Sequence, residues 1–242
     1  MNPPPVPQPP RATPFALKIE PMPHDTGPTS VLESLLKHPG RIIHELQHER
    51  AGAVSLWLLL FGIVGMALYG VVVGTLSGGA QLWLAPVKLS LGTLCAMLIC
   101  LPSLYIFSCL DGVEAPIRTI AGALFAAVCL NALLLIGFAP VGWIFSQSTD
   151  SVVLMGILHL LFWAVGVVFG LRLLRAVAGL LGTGGARHLR VWGAIFVLVC
   201  LQMTAALRPI IGTAETVLPR EKKFFVAHWF DTMASEPPSG RD

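Results

Sequence analysis

Charged side chains are scarce in this sequence, and the middle of the chain has almost none. Only 12% of the 242 residues are Asp, Glu, Lys or Arg, whereas a soluble domain carries about a quarter. Such a shortage of charge excludes an ordinary water-soluble enzyme domain and indicates a polytopic membrane protein. The acids and strong bases between residues 51 and 171 are Lys88, Asp111, Glu114, Arg118 and Asp150.

Signatures of catalysis are missing as well. The sequence contains no GxSxG nucleophile elbow and no Walker-type phosphate loop, and no HExxH zinc motif is expected. Asp111 and Glu114 share a short loop without a His or Cys beside them, so they do not form a metal site. They are expected to be surface charges that pair with Arg118 or receive a partner. The basic residues form no long stripe of the kind that binds nucleic acid.

Paired cysteines are absent too. The five cysteines lie inside apolar stretches and none has CxxC spacing, which is typical of small buried side chains rather than disulfides or metal ligands. We therefore expect no enzyme activity, no metal, no cofactor and no nucleic-acid partner. The cysteines are Cys95, Cys100, Cys109, Cys129 and Cys200.

Proline, by contrast, is concentrated at the start of the chain. Ten of the 19 prolines fall within the first 28 residues, and each removes a backbone donor and fixes φ. We expect residues 1–29 to be a disordered, extended arm, either a plain spacer or a ligand for an aromatic groove on a partner. A cleaved signal peptide is not expected, because no charged segment precedes an apolar core.

Residues 30–50 have the pattern of two short amphipathic helices. Ser30 and Glu33 match a capping box that opens a helix. His38-Pro39-Gly40 interrupts this helix, because the residue before a proline avoids the α region, and the pattern resumes at Arg41. Helices of this kind beside a membrane span are expected to lie in the headgroup plane, with their basic residues toward anionic lipid.

Five long apolar runs follow, within residues 51–212. Each meets or exceeds the ~20 residues that a helix needs to cross about 30 Å of hydrocarbon, and helices are required because lipid offers no partner to open backbone groups. The sequence therefore predicts an all-α membrane protein with five transmembrane helices, with amphipathic interfacial helices before and after the bundle. The predicted spans are Val54–Leu76, Pro86–Leu110, Ile120–Phe145, Val152–Leu171 and Val191–Ile211.

The distribution of Lys and Arg predicts the orientation of the chain. Ten of them precede the first span or lie in the connections after the second and fourth spans, and six lie on the other side. Because basic residues mark the cytoplasmic side, we expect the N-terminus in the cytoplasm and the C-terminus outside. Residues 213–242 then form an extracytoplasmic tail, in which the helical spacing of its aromatic residues predicts a short amphipathic helix.

Four basic residues form the candidate binding site. Arg208 lies about one turn from the outer end of the fifth span, Lys88 opens the second span at the same level, and Lys222 and Lys223 lie in the tail. Cations inside a bilayer are costly and therefore functional candidates. Snorkelling to the surface is the favoured alternative for Lys88 and, with Glu215 as a partner, for Arg208. Together the four residues predict a basic outer patch that binds an anionic headgroup, a phosphate or an acidic partner.

Glycines and isolated polar residues within the spans predict helix contacts. The Gly70-x-x-x-Gly74 and Gly166-x-x-x-Gly170 pairs allow close approach of helices, within the bundle or between copies. A proton relay through the fourth span is not expected, because no span contains Asp or Glu. Polar side chains expected to hydrogen-bond across helices are Asn131, His159 and Gln202.

Several short motifs resemble those of known membrane proteins. The segment LLKHPGRIIHEL at residues 35–46, followed by five spans, resembles the Yip-domain family of multi-pass proteins. LPSLY at Leu101–Tyr105, LRPIIG at Leu207–Gly212 and PREKKFF at Pro219–Phe225 are similar to a group of uncharacterised bacterial inner-membrane proteins. The resemblance implies a bacterial inner-membrane location and a scaffold or adaptor without catalysis.

The sequence thus predicts a non-enzymatic subunit or scaffold of a larger membrane assembly. The alternative is a transporter or a lipid- or anion-handling protein that uses the basic outer patch. The expected partners are membrane lipids with anionic headgroups and other membrane protein subunits.

Overall fold

The computed structural model describes residues 19–22, 27–75, 79–149, 151–182 and 187–206. This described part contains seven helices and no strand, so the predicted all-α fold is confirmed. The helices are α1 (Pro28–Lys37), α2 (Pro39–Gln47), α3 (Ala51–Thr75), α4 (Gln81–Leu110), α5 (Ile117–Ser148), α6 (Val152–Leu181) and α7 (Arg187–Ala206).

Four of these helices, α3 to α6, are long and apolar enough to cross a membrane. Their spanning segments are 25 to 32 residues long, with a mean hydropathy of 2.0 to 2.4. Large apolar side chains point outward from them, such as Leu98, which is 71% exposed. An apolar surface of this size promotes aggregation in water and is suited to contact with lipid chains. The four helices indicate a multi-pass membrane protein.

The helix boundaries differ most from the predicted spans at the start of α4 and the end of α6. Helix α4 begins at Gln81, five residues before the predicted start, and α6 continues ten residues past Leu171 to Leu181. Hydropathy marks only the part of a helix that lies in hydrocarbon, and both helices extend beyond it. Of the fifth predicted span, residues 191–206 lie in α7, and residues 207–211 lie outside the described part.

The two short helices form where the sequence predicts them, but the predicted capping box is wrong. Helix α1 begins at Pro28 after Gly27, and no side chain caps it. Proline at the first helical position has its φ preset for a helix, so the start moves ahead of Ser30. Glu33 instead pairs with Lys37 at 2.9 Å. The break at His38 and Pro39 is as predicted, with α2 beginning at Pro39.

Helices α1 and α2 pack against one end of the bundle. Their apolar stripe is covered by α3 and α5, and its side chains are at most 2% exposed. The Thr119 hydroxyl donates to the carbonyl of Leu46 at 2.8 Å, which fixes the end of α2 to the start of α5. The predicted position of this pair in the headgroup plane stays a prediction. The buried stripe consists of Val31, Leu35, Ile42, Ile43 and Leu46.

The five long helices curve round a central space. Helix α3 packs between α4 and α5, α6 packs on the far side of α5, and α7 packs on α4. Helices α6 and α7 are therefore the two edges of the curve, and their described residues barely touch each other. We call the end that carries α1 and α2 the α1–α2 end, and the end with Thr75, Gln81, Ser148 and Val152 the distal end.

Candidate functional site

A cleft runs through the centre of the bundle between the edges formed by α6 and α7. It encloses about 1300 Å³, counting its open mouth, and all five long helices contribute side chains to its walls. Most of these side chains are apolar, with Trp163 of α6 and Trp192 and Phe196 of α7 among them. Apolar walls with a few polar groups are typical of sites for small or lipid-like ligands.

Three polar side chains of the cleft lie at one level near the distal end. Tyr69 of α3 and His159 of α6 are hydrogen-bonded, with 2.7 Å between the phenol oxygen and Nδ1. Gly70, next to Tyr69, lies against Pro86 of α4, which places Lys88 at a similar height. Tyr69, His159 and Lys88 lie six or seven residues from the distal ends of their helices. We call these three residues the polar band, and its depth is about 10 Å.

Lys88 is buried in the wall of the cleft. Its side chain is only 2% exposed, so the expectation that it snorkels to the surface is wrong. Helix α4 begins early, at Gln81, so Lys88 lies two turns inside the helix. It also lies on the face of α4 that lines the cleft. An intramembrane cation in such a place is a functional candidate.

His159 has one satisfied and one unsatisfied ring nitrogen. The side chain is 7% exposed, and its Nε2 has no hydrogen-bond partner among the described residues. The ring meets Tyr69 and Phe162 edge-on. His159 is thus hydrogen-bonded across helices, as expected. Its partner, Tyr69, was not among the residues that the sequence indicated.

The predicted packing residues lie mainly between neighbouring helices. Gly166 lies against the side-chain oxygen of Asn131, and Gly170 lies against the carbonyl of Ala127. Gly70 lies against the backbone of Pro86. These contacts join α5 to α6 and α3 to α4, and Gly74 is buried in α3. These glycine contacts lie within one chain, so the glycines allow close packing of helices inside the bundle.

Two predicted polar bridges have no partner in the described part of the chain. The oxygen Oδ1 of Asn131 is buried beside Gly166, and the oxygen Oε1 of Gln202 is buried near the described end of α7. The other members of the predicted basic patch, Arg208, Lys222 and Lys223, lie outside the described residues, as do the tail helix and most of the proline-rich arm.

A second polar cluster, at the α1–α2 end, corrects the expectation that Asp111 is a surface charge. Asp111 is 5% exposed. Its carboxylate accepts the backbone N–H groups of His188 and Leu189 at 3.1 and 2.8 Å, and the His188 ring lies 2.8 Å away. Burial opposes ionisation, but these hydrogen bonds outweigh it and lower the pKa of Asp111. Asp111 therefore caps the N-terminus of α7.

The backbone around Asp111 holds this cap in place. Helix α4 ends in a glycine turn, where Gly112 has φ +77° and the Val113 amide donates to the carbonyl of Ser108 at 3.0 Å. This is the usual helix ending with glycine in the left-handed region. Val113 then pairs with Gly182 at the end of α6. We call this junction of the α4–α5 connection with α6 and α7 the clasp.

Helix α2 contains an HExxH motif, so the expectation that the chain has none is wrong. His44-Glu45-Leu46-Gln47-His48 matches the HExxH pattern, in which two histidines of one helical face bind zinc and the glutamate acts as a base. The rings of His44 and His48 are stacked at 4.1 Å. Glu45 is buried, however, and accepts the amide of Met22 at 3.1 Å. In the described part of the chain no third His, Cys, Asp or Glu completes a metal site there.

No protein-family model matches this sequence, and comparisons with curated proteins and with solved structures also find no match. The resemblance to the Yip-domain family and to bacterial inner-membrane proteins stays a prediction.

Proposed function

We propose that the protein is a non-catalytic, lipid-handling membrane protein that binds an anionic amphiphile in its central cleft. The observation that carries this proposal is a buried cation, Lys88, at one end of a cleft whose walls are otherwise mostly apolar. A cationic side chain in the wall of an apolar cleft attracts an anionic group and is a functional candidate. A ligand with an anionic head and an apolar chain matches both parts of the cleft.

The depth of the polar band supports a lipid from the bilayer. Helix α4 has 30 residues and is therefore about 45 Å long, some 15 Å longer than the hydrocarbon core. A level about 10 Å inside the distal end of the helix thus lies near the boundary between headgroups and hydrocarbon. This is the depth at which a membrane lipid carries its phosphate.

The remainder of the cleft suits the chain of such a lipid. From His159 to Leu174, two lining residues of α6, the helix rises about 22 Å, which exceeds the thickness of one hydrocarbon leaflet, about 15 Å. Because the described parts of α6 and α7 barely touch, the described cleft has a side on which a lipid can enter from the membrane.

The fifth crossing and the orientation are part of this proposal. Helix α7 runs antiparallel to α4, and the indole of Trp192 donates to the Cys100 carbonyl and the Ser103 hydroxyl of α4. A helix packed along a transmembrane neighbour in this way is suited to cross the bilayer with it. Basic residues at the α1–α2 end favour a cytoplasmic location for that end, in a bacterial inner membrane. They are Lys37, Arg41, Arg50, Arg118, Arg187 and Arg190.

The lipid content of the purified protein tests the function. After extraction in a mild detergent, the wild type is expected to retain anionic lipid at near-stoichiometric amounts, measured by mass spectrometry of the complex. Lys88→Met keeps the length of the side chain and removes its charge, so it should weaken retention about 10- to 100-fold, the value of a hydrogen bond to a charged group. Lys88→Arg should restore most of it.

Val87→Ala is the matched control, because Val87 is adjacent on α4 and 60% exposed on the outer face. Its lipid content should equal that of the wild type. A wild-type protein without bound lipid, or equal lipid content in Lys88→Met, contradicts the proposal.

A second candidate is the non-enzymatic subunit or scaffold of a membrane assembly. The same open side between α6 and α7 favours it, because a helix of a partner protein fits there as well as a lipid chain. The purification distinguishes the two functions: a protein that co-purifies in equal amounts, with no retained lipid, supports the scaffold.

A further inference from the structure

We infer that His159 donates a hydrogen bond from Nε2 to a phosphate oxygen of the bound lipid, and that Tyr69 positions it for this contact. The inference rests on the proposed function and adds to it the residue that recognises the headgroup. The chemical class is an anionic phospholipid, in which the phosphate carries the only charge of the headgroup.

The hydrogen bond between Tyr69 and His159 determines which ring nitrogen carries the proton. A phenol is a good donor, and a neutral imidazole accepts at one nitrogen and donates at the other. When the Tyr69 hydroxyl donates to Nδ1 at 2.7 Å, the proton of the ring resides on Nε2. This nitrogen is buried without a partner among the described residues, so it is the donor that the side chain has left for a ligand.

Two donors then meet the same headgroup from different helices. Lys88 on α4 and His159 on α6 both line the cleft at the level of the polar band. A phosphate has several acceptor oxygens and can bind both. A charged group held by donors from two sides is a common arrangement for anion recognition.

The cleft also selects against zwitterionic lipids. Its described lining contains no Asp or Glu, so a choline group finds no carboxylate to pair with. A cationic headgroup would instead lie close to Lys88, which is an unfavourable like-charge contact. The inferred preference is therefore for phosphatidylglycerol over phosphatidylcholine.

The test uses Trp192 as a reporter inside the cleft. It is fully buried and lines the cleft, so lipids with brominated chains quench its fluorescence only when a chain enters. The full-length protein, with its other five tryptophans replaced by Phe, is titrated in detergent with brominated phosphatidylglycerol or brominated phosphatidylcholine. The wild-type cleft should be quenched at a lower mole fraction of phosphatidylglycerol.

His159→Phe should weaken phosphatidylglycerol binding about 10- to 100-fold, because it removes a hydrogen bond to a charged acceptor. The preference over phosphatidylcholine should decrease accordingly. Tyr69→Phe removes a single hydroxyl and should weaken binding about 2- to 10-fold. Leu161→Ala, on the outer face of α6 and 57% exposed, is the matched control and should bind as the wild type does.

A spectroscopic measurement separates positioning from a merely structural role of Tyr69. In protein labelled with ¹⁵N-histidine, the His159 signal, assigned by its loss in a second variant, His159→Gln, should show the proton on Nε2. In Tyr69→Phe the form protonated on Nδ1 should appear. This readout also tests the inference if His159→Phe does not fold.

The outcomes distinguish the two proposals. Unchanged phosphatidylglycerol binding in both variants, or a wild-type proton on Nδ1, overturns the role of His159 and leaves the lipid-binding function intact. Absence of quenching by either lipid in the wild type overturns both. Quenching that appears only after removal of residues 213–242 means that the chain's own tail occupies the cleft, which also overturns both.

Discussion

Single glycines illustrate how much of the helix packing follows from sequence. The spacing of Gly70 and Gly74, and of Gly166 and Gly170, predicts close helix contacts, and three of these glycines lie against neighbouring helices. Their partners, among them Pro86 and Ala127, are not predictable from that spacing. Each partner is set by which helices become neighbours, and this depends on the whole bundle.

Gly70→Ala is expected to destabilise the protein by about 1–3 kcal/mol, the usual cost of overpacking. An added Cβ would lie 2.8 Å from the Pro86 nitrogen and 3.1 Å from the Ala85 carbonyl oxygen, and backbone atoms cannot move aside as a flexible side chain can. The measurement is the free energy of unfolding in detergent.

Gly137→Ala provides the comparison for this substitution, since an added Cβ at Gly137 meets nothing within 4 Å. Its free energy of unfolding should stay the same or rise by up to about 1 kcal/mol, because alanine is the better helix former. Equal effects of the two substitutions would show that the Gly70 contact does not limit packing.

At the scale of elements, the start of α7 is capped by a carboxylate from the α4–α5 connection. The sequence predicts the existence of α7, because its apolar run is long. Its cap was not predicted, because Asp111 and His188 are 77 residues apart. The Asp111-Gly112 pair indicates a helix end, but only the folded chain shows which helix start accepts the side chain.

Asp111→Asn is expected to lower the stability of the protein by about 1–2 kcal/mol, because an amide NH₂ replaces one of two oxygens that face peptide N–H groups. The pKa of Asp111 is lowered in the folded chain. Its contribution is therefore complete above the ordinary aspartate pKa of about 3.9 and is lost as the pH falls through the lowered native value.

The midpoint of thermal unfolding in detergent, measured from pH 7 to pH 2, checks this. The unfolding midpoint of the wild type should fall in the acidic range as the Asp111 cap is protonated. The midpoint of Asp111→Asn should show no such decrease. Glu114→Gln is the control, because it removes the same charge at an exposed position. This variant should still show the acidic decrease in the unfolding midpoint. A step of equal size in Asp111→Asn would contradict the role of the cap.

At the scale of the whole molecule, hydropathy predicts the membrane class and the approximate helices, because a bilayer constrains long apolar segments strongly. It does not predict that α6 and α7 form the edges of a cleft. It also does not predict that Tyr69, Lys88 and His159 share one level. Those facts depend on helix rotation and neighbour order, which an apolar run leaves open.

The proposed fifth crossing predicts that the two ends of the chain lie on opposite sides of the membrane. In a cysteine-free background, Glu49→Cys near the α1–α2 end, Ser148→Cys at the distal end and Asp242→Cys in the tail are labelled with an impermeant maleimide. Ser148→Cys and Asp242→Cys should react in intact cells, and Glu49→Cys only after permeabilisation. Reaction of Asp242→Cys together with Glu49→Cys would show that α7 does not cross.

The clasp connects α6 and α7 at the α1–α2 end of the bundle only, as far as the described residues show. Asp111 and Val113 bind the start of α7 and the end of α6 to one connection, whereas nothing comparable joins these helices at the described distal residues. If the cleft binds lipid as proposed, sideways exchange with the bilayer takes place through the leaflet that borders the distal end. A protein built in this way would respond to the composition of one monolayer and be indifferent to that of the other.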